Sequence, residues 1–190
     1  IYMCGISAIL GNNCVQILLE ALKQMQNRGY DSAGICSIEH NPSISYRINK
    51  YASSEDKTSL SKLEDTLNEY KSNNIGIAHT RWATHGEPSN HNAHPHISKN
   101  SVSVVHNGII ENYIELKNNQ LKQGYVFTSE TDTEVIAHAV DFEMQSSKSL
   151  LSSVQKALKS FKGSYGLGII SSKYPDQIIA ARKGSPLLIG

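Results

Sequence analysis

The stretch CGISAIL occupies residues 4–10 and places a cysteine immediately ahead of a short apolar run. A run of this length and composition predicts a buried β-strand, because it is too short for a typical helix. Functional side chains are often held where strands end and loops begin. The thiol of Cys4 is therefore either a small buried core group or a nucleophile at the start of a strand.

Working outward from this run, further apolar stretches predict strands on both sides of a helical middle. We expect strands over residues 32–38, 44–51, 75–81, 101–108, 165–171, 177–183 and 186–190. The spacing of apolar residues predicts helices over residues 14–27, 59–71, 110–123, 133–145 and 149–161. Because strands and helices do not alternate strictly, the pattern favours an α+β arrangement of layered sheets with helices over a doubly wound fold.

Two of the predicted helices are preceded by residues suited to capping. Asn12 or Asn13 can cap the first helix. Thr131 and Glu134 match a capping box for the helix over 133–145.

The composition is that of an ordinary globular domain. The chain has 190 residues, 39% of them hydrophobic, and a net charge of +1. This balance gives no support for a general attraction to nucleic acid or to an anionic membrane. No apolar run approaches the roughly 20 residues of a membrane-spanning helix, and we find no signal peptide. Three cysteines are no disulfide framework, so we expect a cytoplasmic protein.

The segment over residues 82–100 is rich in His, Asn, Gly and Pro and shows no period. A stretch this long without regular structure is usually functional or disordered. Its histidines His91, His94 and His96 could supply metal ligands, but no thiolate or carboxylate is spaced to complete such a site. We therefore expect these side chains to hydrogen-bond locally, and we expect no metal.

Cys4 gains interest from its position near the start of the chain. We expect Met3 to be the natural start, with Ile1 and Tyr2 as additions ahead of it. Removal of Met3 would leave Cys4 with both a thiol and a free α-amine. An α-amine titrates near pH ~7.7–8.0 and can act as a base near neutrality. Nucleophile and base would then belong to one residue, as in N-terminal threonine nucleophiles.

Other positions carry groups suited to an amino-acid substrate. The guanidinium of Arg81 can bind a carboxylate through two hydrogen bonds, or it is a surface arginine. Asp132 can stabilise a helix N-terminus, a role that does not exclude binding an ammonium group. Asn107 and Gly108 form either an ordinary turn or an oxyanion hole made of an amide side chain and a backbone N–H. With a terminal cysteine, these groups describe an amino acid that is attacked at its side-chain carbonyl.

Seven strings in register carry a resemblance that covers almost the whole chain. They are CGI (4–6), RGYDSAG (28–34), HTRWATHGEP (79–88), NAHPH (92–96), VVHNGIIEN (104–112), SETDTEVIAH (129–138) and GSPLLIG (184–190). Together they resemble the glutaminase domains of the glucosamine-6-phosphate synthases, which are class II glutamine amidotransferases of the N-terminal nucleophile hydrolase superfamily. The pair RGYDSAG and RWATHG resembles these enzymes more than the purine-pathway amidotransferases or the asparagine synthetases, which share the fold.

The resemblance implies a four-layer αββα sandwich, in which two antiparallel sheets face each other between outer helices. It implies hydrolysis of L-glutamine to glutamate and ammonia through a γ-glutamyl thioester on Cys4, with no cofactor. In the family, a synthase portion with sugar-isomerase domains receives the ammonia. Nothing in residues 1–190 resembles that portion, so we expect one glutaminase domain. Its partner is the synthase/isomerase domain of a full-length enzyme that can form a homo-oligomer.

The resemblance also implies roles for individual residues. Cys4 matches the nucleophile and its α-amine the base, and Asn107 with the Gly108 N–H matches the oxyanion hole. Arg81 matches the residue that binds the substrate α-carboxylate, and Asp132 the residue that binds its α-ammonium. The remaining matches flank the glutamine: Thr84 and His85 in the glutamine loop, Trp82 at the proposed gate of the ammonia channel, and Arg28 and Gly29 beside the nucleophile.

Two other interpretations remain open on the sequence. If residues 1–3 stay attached, the nitrogen of Cys4 is part of an amide and cannot serve as the base. The chain would then be a glutamine-binding module without turnover. A metal-binding protein built on the histidines of segment 82–100 is the other alternative, and metal content after purification without an affinity tag distinguishes it.

Overall fold

The computed structural model describes residues 4–26, 31–40, 43–70, 73–82 and 86–190. The strands in this part of the chain are β1 (Gly5–Leu10), β2 (Ser32–Glu39), β3 (Ser45–Ala52), β4 (Ile75–Arg81), β5 (His96–Ser98), β6 (Val102–Ile110), β7 (Gly163–Ser171) and β8 (Tyr174–Lys183). The helices are α1 (Cys14–Gln24), α2 (Ser59–Asp65), α3 (Tyr113–Lys122), α4 (Glu134–Met144) and α5 (Leu150–Leu158). Among the described residues, no helix is long and apolar enough to cross a membrane.

The strands form two four-stranded antiparallel sheets. The first has the order β1-β4-β2-β3, and the second has the order β5-β6-β7-β8. All seven residues of β4 are buried, because this strand is central in its sheet and is covered on both faces. The alternation of polar and apolar residues that marks a half-exposed strand is therefore missing from it.

Three groups of buried apolar side chains hold four layers together. Helices α1 and α2 pack on the outer face of the first sheet, through residues such as Leu18 and Leu63. Helices α4 and α5 pack on the outer face of the second sheet, through residues such as Val140 and Val154. The inner faces of the two sheets meet through Cys36, Ile38, Ile75, Ile77, Val105 and Ile170. The predicted four-layer αββα sandwich is confirmed.

The first two helices of the chain differ from the prediction in their boundaries and caps. Helix α1 ends at Gln24, and Asn13 at its N-cap position has a left-handed φ of 57° and no side-chain capping hydrogen bond. The helix predicted over 59–71 is divided into α2 and one 3-10 turn over Leu67–Glu69. Of the apolar residues whose spacing predicts this helix, Leu60, Leu63 and Tyr70 are buried and Leu67 is partly buried.

The predicted capping box at Thr131 and Glu134 is wrong. Helix α4 begins at Glu134 itself. The Glu134 carboxylate turns back and accepts hydrogen bonds from the backbone N–H groups of Thr128 and Ser129, at 2.8–3.1 Å. It therefore orders the loop before the helix. Its charge remains favourable at the positive end of the helix dipole.

The strand prediction is wrong at two places: one predicted strand does not form, and one short strand is not predicted. Residues 186–190 follow β8 without regular structure, and Leu188 and Ile189 are 96% and 88% exposed. Strand β5 was not predicted, because it has only three residues and both His96 and Ser98 are polar and buried. So short a strand with polar residues pointing inward leaves no periodic signal.

Candidate active site

Cys4 lies where the two sheets approach each other at one end. It precedes β1, and the register of β1 with β4 pairs Gly5 with Thr80. This pairing places the thiol beside the residues that follow β4. From the facing sheet, Asn107 of β6 donates a 2.6 Å hydrogen bond from Nδ2 to the carbonyl oxygen of Cys4. The predicted nucleophile and the predicted oxyanion donor are thus in direct contact.

The sulfur of Cys4 packs against the backbone of Trp82. The Trp82 N–H donates to Sγ at 3.3 Å, and Sγ lies 3.7 Å from the Trp82 carbonyl oxygen. Burial raises the pKa of the Cys4 thiol, although the Trp82 N–H and the charge of Arg81 oppose this shift. A thiol with a raised pKa is protonated at neutral pH. It needs a nearby base to become a nucleophile.

Asn107 and Gly108 lie within β6, so the alternative of an ordinary turn is wrong. Gly108 has a φ of +136°, and a Cβ at this position would lie 2.1 Å from the carbonyl oxygen of Ser164. Any side chain would therefore meet both backbone strain and a steric clash. Glycine is required at this position because β6 pairs closely with β7, where Gly108 is opposite Tyr165.

Asp132 is anchored to the end of the same strand. It is 7% exposed, and its Oδ2 accepts a 2.7 Å hydrogen bond from the backbone N–H of Ile110. Its Oδ1 lies 3.9 Å from Nδ1 of His106. The carboxylate is therefore held by β6, the strand that carries Asn107, rather than by the helix that follows it.

Arg81 ends β4 and is 3% exposed, so the alternative of a surface arginine is wrong. Its guanidinium donates hydrogen bonds to the carbonyl oxygens of Gly86 and Glu87, at 3.1 and 3.4 Å. The negative charges of Asp132 and Glu130 favour the charged form of this guanidinium. The charge of Arg81 also acts on Cys4, so this buried cation lies close both to the thiol and to the buried carboxylate of Asp132.

The aperiodic segment after Arg81 is fastened by side chains from other parts of the fold. Asn92 forms a pair of hydrogen bonds with Glu130, from Nδ2 to the carboxylate (3.0 Å) and from the Glu130 N–H to Oδ1 (2.9 Å). Lys50 of β3 donates to the carbonyl oxygens of His91, Ala93 and Pro95, at 2.8–3.3 Å. This part of the segment is thus ordered by polar contacts.

Gly34 of β2 lies beneath this segment. A Cβ at this position would lie 2.1 Å from the carbonyl oxygen of His94. The glycine that ends the string RGYDSAG is therefore required by the close approach of the segment to the first sheet.

A group of buried histidines lies next to the site, and we call it the histidine cluster: His79, His94, His96 and His106. Each is at most 5% exposed. The rings of His79 and His94 have centroids 4.2 Å apart, and those of His94 and His96 4.8 Å apart. Burial lowers the pKa of His79 to about 3 and the pKa of His94 and His96 well below the usual value. These imidazoles are neutral at pH 7.

The prediction that the segment's histidines hydrogen-bond locally is wrong. His94 bonds to the Thr133 hydroxyl at 2.7 Å and His96 to the Thr131 hydroxyl at 3.1 Å, 39 and 35 residues along the chain. His91 is exposed. Within the described part of the chain, no group of three or more His, Cys, Asp or Glu side chains could hold a metal ion.

Four predicted site residues, Arg28, Gly29, Thr84 and His85, lie outside the described residues. The described ones, Cys4, Arg81, Trp82, Asn107, Gly108 and Asp132, come from the adjoining ends of β1, β4 and β6 and the loop before α4. Sequence reasoning missed His79, whose Nε2 contacts Asn107. A lone histidine within a buried strand gives no signal of its own, and only its place two residues before Arg81 could have pointed to it.

Comparisons with known proteins show the family to which the chain belongs. The family model of the glutamine amidotransferase domain matches residues 79–188. The chain is 48% identical over 190 residues to the glutamine--fructose-6-phosphate aminotransferase (isomerizing) of Acinetobacter baylyi, an alignment that covers 99% of this chain and 30% of that protein. The protein of the same name from Pseudomonas aeruginosa is 48% identical over 191 residues, with the same coverage. The chain therefore spans about a third of the length of these curated relatives.

Two solved structures share the fold. The glutamine phosphoribosylpyrophosphate amidotransferase from B. subtilis, complexed with ADP and GMP, matches with a TM-score of 0.74 and 24% identity over 93% of this chain and 36% of its own. A structure described as the allosteric regulatory enzyme of purine biosynthesis matches with a TM-score of 0.73 and 23% identity over 95% of this chain and 37% of its own. With the family model matching more than half of its length, the chain belongs to the glutamine amidotransferase domain family.

Proposed function

We propose that the chain is a glutaminase that hydrolyses L-glutamine to L-glutamate and ammonia, with Cys4 as the nucleophile. The observation that carries the proposal is the contact between Asn107 and Cys4, which places an amide donor beside a half-buried thiol. The family and the names of the relatives support an enzyme rather than a binding module without turnover.

The proposed reaction begins with activation of the thiol. Because burial raises the pKa of the Cys4 thiol, a base must remove its proton. The α-amine of the same residue serves as this base once it is free, since its ordinary pKa of ~7.7–8.0 leaves much of it unprotonated near neutral pH. The Trp82 N–H, 3.3 Å from Sγ, stabilises the thiolate that forms.

The thiolate then attacks the carbon of the glutamine side-chain amide. The tetrahedral oxyanion accepts hydrogen bonds from Asn107 Nδ2 and the Gly108 N–H, and each such donor is typically worth about 10²–10³ in rate. The C–N bond breaks as the ammonium of Cys4 returns its proton to the leaving nitrogen, so that ammonia leaves and a γ-glutamyl thioester remains. Water, deprotonated by the same amine, hydrolyses the thioester to glutamate and restores the thiol.

The charged groups near Cys4 suit the two ends of an amino acid. Arg81 binds the α-carboxylate and Asp132 binds the α-ammonium, and both are nearly buried and held from β4 and β6. Burial strengthens such ion pairs with a substrate. The resemblance adds Thr84, His85, Arg28 and Gly29, which lie outside the described residues, as further residues that bind the glutamine. In this proposal Trp82 gates the exit of ammonia.

The proposal extends to the longer protein in which such domains occur. The relatives that cover the chain are named for amination of fructose-6-phosphate and are about three times as long. We propose that the ammonia passes to a synthase/isomerase domain that aminates this sugar phosphate. The full-length enzyme would act in the cytoplasm and without a cofactor, and it could form a homo-oligomer.

Glutamate release tests the proposal on a chain that begins at Cys4. We expect turnover by the unsubstituted chain, none by Cys4→Ala, and a rate about 10²–10³ lower for Asn107→Ala. The control is Asn118→Ala, which removes an exposed asparagine of α3 and should leave the rate unchanged. Turnover by Cys4→Ala equal to that of the unsubstituted chain would refute the proposal.

A further inference from the structure

His79 contacts the proposed oxyanion donor from inside the fold. It lies in β4 and is 0% exposed. Its Nε2 is 3.1 Å from Oδ1 of Asn107 and 3.1 Å from the carbonyl oxygen of His106. One ring nitrogen thus faces two oxygens, one on the side chain of Asn107 and one on the backbone just before it.

These contacts determine which ring nitrogen of His79 carries the proton. The carbonyl oxygen of His106 can only accept a hydrogen bond, so Nε2 must donate. The other ring nitrogen, Nδ1, is buried and has no hydrogen-bond partner among the described residues. A proton on Nδ1 would be unpaired there, whereas a proton on Nε2 has two acceptors. The pKa of His79, lowered by burial to about 3, fits a neutral ring with a single N–H.

The protonated Nε2 in turn determines how the Asn107 amide is oriented. An N–H at Nε2 attracts the amide oxygen, and it would repel the amide NH₂ group of the opposite orientation. The hydrogen bond at the other end of the amide requires the same orientation, because Nδ2 donates to the carbonyl oxygen of Cys4 at 2.6 Å. An amide nitrogen has two hydrogens. One is used by Cys4, and the second is the one that an oxyanion at this thiol requires.

We propose that His79 is a positioning residue of the oxyanion hole, which holds the Asn107 amide with its nitrogen towards Cys4 by donating from Nε2 to Oδ1. The inference rests on the proposed function, since Asn107 must be the oxyanion donor for its orientation to matter in catalysis. Because His79 is 0% exposed and contacts Asn107, it acts through Asn107 rather than on the substrate.

Two substitutions separate the hydrogen bond from the packing of the ring. His79→Met keeps an apolar body of similar size and removes the donor. His79→Gln places an amide nitrogen at about the reach of Nε2 and keeps a donor. We expect kcat for glutamine hydrolysis to fall about 10–100-fold in His79→Met, with KM within about threefold, and to recover most of this loss in His79→Gln.

A double substitution excludes a merely structural role. If His79 acts through Asn107, then His79→Met should lower kcat little further in a chain that already carries Asn107→Ala. A structural role would lower the rate by the same factor in both backgrounds. Equal kcat values for His79→Met and the unsubstituted chain, or full additivity with Asn107→Ala, would overturn the inference.

A readout without turnover separates this inference from the proposed function. Imidazole ¹⁵N NMR of the unsubstituted chain should show His79 protonated at Nε2 and unprotonated at Nδ1. The side-chain amide signals of Asn107 should shift in His79→Met but not in a control substitution of the exposed His40. A proton on Nδ1 would overturn the inference even if the chain is active. An inactive chain with the predicted spectrum would refute the glutaminase proposal and leave the hydrogen-bond geometry supported.

Discussion

Mild acidification should destabilise this domain strongly, because the histidine cluster is buried in its neutral form. The pKa values of His79, His94 and His96 are lowered in the folded chain, that of His79 to about 3. In the unfolded chain each side chain titrates near its ordinary value of ~6.5. Below that pH the unfolded chain therefore binds more protons than the folded one, so stability is full above pH ~6.5 and is lost as the pH falls.

The size of the loss follows from proton linkage. Between pH ~7 and ~5.5, one histidine that stays neutral in the fold and titrates normally when unfolded costs about 1.2 kcal/mol. Three such residues, each at most 5% exposed, cost about 4 kcal/mol. Domains are commonly stable by only about 5–15 kcal/mol. The loss is thus a large fraction of the total.

Urea unfolding at the two pH values measures the free energy of unfolding directly. We expect a fall of about 4 kcal/mol for the unsubstituted chain. The exposed His40 provides the control, since His40→Gln should show the same fall. A fall below about 1 kcal/mol in both chains would refute the burial of the three histidines in neutral form.

Two further substitutions test the contacts that order the site. Gly34→Ala sets a methyl group against the carbonyl oxygen of His94, which a Cβ would approach to 2.1 Å. It should lower the free energy of unfolding by about 1–3 kcal/mol in urea titration, and a neutral effect would contradict the close approach. Glu134→Gln leaves one oxygen for the N–H groups of Thr128 and Ser129 and should cost about 1–3 kcal/mol. Because Thr128 and Ser129 belong to the loop that also carries Asp132, the substitution should raise KM for glutamine as well. An unchanged KM would show that the position of Asp132 does not depend on this carboxylate.

The layers of the fold could be predicted because they depend on apolar burial. The apolar face of α1 and the buried run of β4 are long enough to leave a pattern in the sequence. The αββα arrangement itself came from the resemblance, since periodicity alone indicated only layered sheets. Strand β5 and the start of α4 could not be predicted, because they depend on polar contacts between distant residues, such as His96 with Thr131.

The residues of the candidate site also fall into those that the sequence could predict and those that depend on contacts between distant residues. Residue type and resemblance pointed to Cys4, Asn107 and Asp132, whose side chains suit the chemistry of an amide substrate. His79 could not be predicted as a site residue, because its role depends on one contact with Asn107, 28 residues away. A single sequence does not show which buried histidine meets which amide, since that depends on how the two sheets face each other.

The most direct test of the central claim, that Cys4 acts as an amino-terminal nucleophile, is glutamate release by two matched samples. One chain begins at Cys4, and the other carries Ile1, Tyr2 and Met3 ahead of it. We predict that only the chain beginning at Cys4 turns over glutamine, because only its α-amine is free to take the thiol proton. Equal turnover by both samples, with intact mass showing that residues 1–3 are retained, would contradict the claim and require another base for the thiol.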